Sequence, residues 1–145
     1  MSTRDTLLAK IQAQYDEDSE SPPVVTLDEY FIGNTDEDSI APNQVGYGRP
    51  ALAELYTRFR EIQEKPSVQA VLVGIHGDWT EALRYTDVWP AAENVHIYTT
   101  ASAREVEAWV EGLAADGVIM GWPYGAHPSV PTPRPGYKIL TVCWD

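Results

Sequence analysis

Three β-rich runs constrain this chain most: "VQAVLVGIHG" from residue 68, "NVHIYTT" from residue 94 and "YKILTVCWD" from residue 137. Runs rich in β-branched and aromatic residues must pair with one another or leave their backbone donors unsatisfied. The first is apolar enough to be a central strand. The second places Val95, Ile97 and Thr99 on one face. The third alternates Tyr137, Ile139, Thr141 and Cys143 with Leu140, Val142 and Trp144. A shorter run, "VIMGW" from residue 118, predicts a further strand.

Between these runs lie stretches of helical spacing. "TRDTLLAKIQAQY" repeats Leu7, Leu8, Ile11 and Tyr15 as one helical face. "RPALAELYTRFREIQEK" aligns Leu52, Leu55, Tyr56, Phe59 and Ile62, with Pro50 near the first turn and Pro66 as the stop. "TLDEYF" carries a capping box, Thr26 with Glu29, which predicts a short helix through Phe31 ended by Gly33. "SAREVEAWVEGLAADG" carries another, Ser102 with Glu105, and presents Val106, Trp109, Val110 and Leu113 before Gly117 terminates it. "DWTEALRYTDVWPAAE" has no clear period, and Pro-rich "PYGAHPSVPTPRPG" reads as loop. The order predicts an α+β fold: a small, mostly antiparallel sheet packed by two or three helices, with an N-terminal helical extension. With no internal repeat, 145 residues make one domain. Residues 1–22, a helix and the acidic linker "DEDSESPP", are expected as an appendage to a core of residues 24–145.

At 43% hydrophobic residues with five Trp, the chain can bury a core unaided by metal or disulfide. Its single cysteine, Cys143, excludes an intramolecular disulfide and a cysteine-based zinc site, and within "ILTVCW" it reads as a small core residue. The stretch "MSTRDTLLAKIQAQYDEDSE" lacks the apolar centre of a secretion signal, and no run approaches the ~20 apolar residues of a membrane span. The expected location is therefore the cytoplasm. Twenty-two acidic residues against 10 basic leave a net charge of −12. That balance argues against nucleic acid and against an anionic membrane, and it suits a basic protein partner.

Within "YFIGNTDEDSIAPN", residues 30–43, Asn34, Asp36 and Asp38 alternate like the first ligands of a calcium loop. The spacing then fails, because Ser39 stands where the turn needs Gly and Val45 where a closing Glu belongs. The loop's polar residues either bond local backbone as Asx turns or form an exposed acidic patch. Of the histidines, His76, His96 and His127, only "HGD" at 76–78 offers a base beside an orienting carboxylate, and a structural role fits it as well. No nucleophile elbow and no phosphate loop is present, so neither a catalytic residue nor a cofactor is assigned. Trp79, Trp122 and Tyr124, at element ends and in loops beside acidic residues, match the anchor composition of protein interfaces.

The order "VTLDEYFIGNTDEDSIAPN", "KPSVQAVLVGI", "WPAAENVHIYTT", "EVEAWVEGL", "GW", "PGYKIL" and a terminal "WD" resembles a family of small acidic bacterial proteins. Members show a leucine–acidic–acidic–aromatic–aromatic motif, then Gly-Asn-Asp, and finish on Trp-Asp. The resemblance runs from about Val25 to Asp145, leaves the first helix outside, and departs from the pattern at Thr35. The family is similar in turn to immunity proteins of polymorphic or contact-delivered toxin systems. That implies a non-enzymatic inhibitor occluding the active site of a cognate toxin. The residues expected to meet the partner are Asp16, Glu17, Asp18 and Glu20, then Asp36, Glu37 and Asp38, and the aromatics Trp79, Trp122 and Tyr124. The alternative is a small enzyme or ligand-binding domain with a pocket at His76 and Asp78.

Overall fold

The computed structural model describes residues 2–144; Met1 and Asp145, the last residue of the closing Trp-Asp, lie outside the described residues. Five strands, β1 (Val24–Thr26), β2 (Val68–Ile75), β3 (Ala92–Thr99), β4 (Gly117–Met120) and β5 (Lys138–Cys143), form one sheet in the order β1-β2-β3-β5-β4. Every neighbouring pair is antiparallel. The three runs that dominate the sequence occupy its middle. Their register sets Val71 opposite Ile97 and Val95 opposite Val142, so apolar side chains from adjacent strands share a face.

Helices α1 (Thr3–Glu17), α2 (Leu27–Phe31), α3 (Leu52–Gln63) and α5 (Ala103–Trp109) contribute to the core that covers that face, while α4 (Glu81–Arg84) is a single turn after β2. Both capping boxes form as expected, at Thr26 with Glu29 and at Ser102 with Glu105. The reverse face of the sheet carries Val24, Leu72, Tyr98 and Ile139 under Trp122 and Val130 of the Pro-rich loop. Tyr98 holds that loop by donating to the Pro131 carbonyl at 2.8 Å.

Two expectations need correction. The first helix is more than an appendage, because Leu7 and Ile11 are buried in the main core. Its Gln14 also takes both backbone groups of Val24, accepting from N at 2.8 Å and donating to O at 2.7 Å. Secondly, α5 ends at Trp109, well before Gly117; Arg58 of α3 satisfies the Trp109 and Glu111 carbonyls at 3.0 and 2.8 Å. The chain then reverses through Gly112 at φ 87°, and Gly117 opens β4. Pro50 stands near the first turn of α3 as expected, immediately before the N-cap Ala51.

Candidate functional site

The acidic loop after α2 is built from its own side chains. Gly33 adopts φ 83° and packs directly on Thr3, where no side chain would fit. Asn34 Oδ1 accepts from the Asp36 amide at 2.9 Å, and Asp36 Oδ1 accepts from the Asp38 amide at 3.1 Å. The other Asp36 oxygen accepts from the Trp89 amide at 3.1 Å, so both are engaged by backbone. Glu37 does two jobs. Its Oε1 accepts from the Leu52 amide at 3.1 Å, supplying the N-terminus of α3 with the cap that Ala51 lacks. The same oxygen meets Arg49 Nη2 at 2.5 Å. The Arg49 side chain is only 2% exposed and also donates to the carbonyls of Glu37, Ile40 and Pro50. Asp36 and Glu37 are thus engaged in architecture, Glu37 while remaining half exposed, and Asp38 is an exposed acid whose carboxylate has no such task.

The other acidic segment is different. Asp16 and Glu17 lie exposed in the last turn of α1, which has no basic residue. Carboxylates at a helix C-terminus oppose the macrodipole. Asp18 accepts from the Glu20 amide at 2.9 Å, which holds its carboxyl below the usual range, and Glu20 is exposed. Arginines that could have paired with surface acids are used elsewhere. Arg4 donates to the carbonyls of Ala82, Tyr85 and Val88, Arg58 likewise serves carbonyls, and Arg49 divides itself between carbonyls and Glu37. The surface is therefore left more negative than a pairwise tally of acids and bases suggests.

Of the expected aromatic anchors, Trp79 is withdrawn: it is 3% exposed in the main core, edge-on to Tyr15 at 5.8 Å. Trp122 is half-buried against His96, with ring centroids 4.3 Å apart. Tyr124 is 59% exposed. Pro22, Trp122, Pro123 and Tyr124 line one small cleft, and Gly125 faces Ser21. The fold thereby brings the Asp16–Glu20 segment and the Trp122–Tyr124 loop to the same border of the molecule, a juxtaposition across 100 residues that no local pattern announces.

The histidines have clear assignments. His76 follows β2 and caps a short turn, its Nδ1 accepting from the Asp78 amide at 2.9 Å. A carboxylate orients a histidine base by accepting a hydrogen bond from Nδ1–H; here that nitrogen is itself an acceptor, and Asp78 Oδ2 stands 3.6 Å away. The His76–Asp78 dyad is corrected to a capping contact. Glu93, which the sequence did not single out, lies 3.9 Å from His76 Nε2, and both line a cavity of about 330 Å³. Burial raises its carboxyl pKa, with His76 opposing and Asp78 adding. His96 is buried: Thr141 donates to the Gly121 carbonyl at 2.7 Å and so accepts from His96 Nδ1 at 2.8 Å. Burial pushes His96 down to about 3, and it is neutral. Its Nε2 fills the space beside Gly74 that a Cβ would need. His127, 1% exposed, accepts from the Ser129 amide and donates through Nε2 to the Gln14 carbonyl at 2.8 Å, fastening the Pro-rich loop to α1. Burial, with Glu93 and Asp116 nearby, raises the Cys143 pKa, which keeps its thiol protonated.

The sequence model of the uncharacterized protein YfbO family matches residues 2–142, which takes in α1 as well as the sheet. The uncharacterized protein YfbO of Escherichia coli (strain K12) is 32% identical over 145 residues, covering 98% of this chain and 96% of that protein. No solved structure matches. Among the described residues no helix is long and apolar enough to cross a membrane.

Proposed function

We propose that this chain, which belongs to the bacterial YfbO family, is a cytoplasmic binding protein whose partner presents a basic surface. In its most specific form the reading is immunity-type inhibition: the chain occludes the active site of a cognate toxin. The observation that carries it is the meeting of Ser21 and Pro22, directly after the Asp16–Glu20 segment, with the Trp122–Gly125 loop, which brings a run of exposed carboxylates to the same border as an exposed tyrosine and a half-buried tryptophan. Carboxylates steer the encounter with a basic cleft, and aromatics supply the buried contact. Acids retained at a helix C-terminus, against the dipole, also fit a surface kept for binding.

A tagged pull-down at low salt from native extract, with bound proteins identified by mass spectrometry, tests the reading. A basic protein retained in stoichiometric amount and released by salt is expected. Expressed alone that protein should arrest growth, and co-expression of this chain should restore it. Partners that are acidic, or retention indifferent to salt, would contradict the reading. The second reading, a small-molecule pocket at His76 and Asp78, has one observation in its favour, the Glu93 carboxyl, raised by burial, beside His76 in the lining of one cavity. Loss of a bound metabolite on Glu93→Gln would move the assignment there.

A further inference from the structure

The two edges of the sheet are treated differently. At one, β1 is three residues long, and Gln14 occupies the backbone groups of Val24. At the other, β4 lies outermost, beyond β5. The Gly121 amide donates to the Ile139 carbonyl at 2.9 Å. Alternation along an antiparallel ladder then turns the amides and carbonyls of Val118 and Met120 away from β5, toward solvent. Natural edges commonly refuse an added strand with a charge, a proline or a bulge. The sequence of β4, Gly-Val-Ile-Met, has neither charge nor proline, and its register with β5 runs without a shift. Ile119 and Met120 are 42% and 72% exposed.

Beside this edge lies a cleft of about 640 Å³ lined by Tyr47, Val110 and the start of β4, together with Glu107, Glu111 and Asp116. Among the described residues no basic side chain lies within ion-pair distance of those three carboxylates. Glu107 of α5 and Glu111 just beyond it sit on the core side of the sheet, where Val118 points, and Ile119 points to the opposite side. Open backbone donors and acceptors, an acidic wall on one side and an apolar side chain on the other describe one kind of occupant.

We propose that β4 receives an extended basic segment of a partner protein as a sixth strand. Alternate Lys or Arg side chains of that segment face Glu107, Glu111 and Asp116, and its apolar side chains face Ile119. The inference rests on the reading of the chain as a binder of basic proteins and adds where such a partner is gripped. A second copy of this chain fits less well, since strand addition would bring two chains of net charge −12 together.

The test uses the full chain and a fluorescent peptide of alternating Lys and Val, read by anisotropy at low salt. Saturable binding is expected. The same peptide N-methylated at alternate amides keeps its charge but cannot complete the ladder, and should bind about tenfold or more weakly, as loss of one or two hydrogen bonds implies. Met120→Pro removes an outward N–H without touching the β5 ladder and should weaken binding as much, while Glu107→Gln with Glu111→Gln should lower both affinity and its salt dependence. Equal affinity for the methylated peptide, or no binding by the unaltered chain, overturns the proposal. So does concentration-dependent dimerisation that Met120→Pro abolishes, because the edge then serves a second copy. A chain that captures a basic protein from extract yet ignores the peptide overturns strand addition alone. Failure to capture any basic protein overturns the reading beneath it.

Discussion

The tetrapeptide Asp-Glu-Asp-Ser occurs twice, at residues 16–19 and 36–39, and its two copies have opposite fates. In the second, both Asp36 oxygens accept from amides, Glu37 clamps Arg49 and caps α3, and Ser39 is 3% exposed. In the first, Asp16, Glu17 and Ser19 are exposed, and Asp18 bonds only near neighbours. The difference lies in what each copy meets. Residues 36–39 fall between a helix end and a helix start, where unsatisfied amides and a buried guanidinium await acceptors. Residues 16–19 close a helix whose end exposes carbonyls, which carboxylates cannot serve. Identical chemistry becomes architecture in one place and surface charge in the other.

The comparison breaks most visibly at Arg49. Arg49→Ala leaves Glu37 and several loop carbonyls without their donor and should cost about 3 kcal/mol, read by denaturant unfolding. A cost no larger than that of a surface substitution would show that the second copy is not held as described.

Acid separates the carboxylates from the buried sheet face. The folded-state pKa of His96 is about 3, below its value of 6.5 in the unfolded chain. Above pH 6.5 neither state carries the proton and nothing is lost. Below it the unfolded chain binds a proton that the fold refuses, so stability falls toward pH 3, by at most about 1.4 kcal/mol per pH unit. Glu93, with a raised pKa, works in the opposite sense, since its protonation relieves a burial cost as pH falls. The difference between the unaltered chain and His96→Gln isolates the histidine. Parallel stability curves for the two would contradict its neutral, buried state.

Tyr30 tests the floor of the second copy, since its hydroxyl lies 2.7 Å from the Pro90 carbonyl and 3.0 Å from that of Ser39. Tyr30→Phe should cost about 1–2 kcal/mol by calorimetry. The smallest effect belongs to the first copy. Asp16→Asn with Glu17→Gln removes charge from the wrong end of α1 and should stabilise the fold slightly, by about 0.5 kcal/mol. Asp16 accepts from Gln12 Nε2 at 2.9 Å, a bond the Asn oxygen can keep, so a clear destabilisation would mean that these acids hold the fold beyond that exposed contact.

Much of the fold was legible because it rests on local rules. Period-two alternation located β3 and β5, the helical stripe located α3, and each capping box marked a helix start. The Asx reading of Asn34 and Asp36 was local too, and it held. What escaped depends on distant contacts. Trp79 looks exposed between His76 and Thr80 until Tyr15 of α1 packs on it. The length of α5 is decided by Arg58 on another helix, and Glu37 caps a helix 15 residues away. Glu93 looks like one acid among many until β3 sets it near His76. No spacing rule reports such pairings.

The most direct test of the central claim is parallel capture at low salt by the unaltered chain and by one carrying Asp16→Asn, Glu17→Gln, Asp18→Asn and Glu20→Gln. The account predicts that the unaltered chain retains a basic protein and that the neutralised chain, folded and no less stable, releases it at lower salt or fails to hold it. Equal retention of the same protein by both, at every salt concentration, would contradict it.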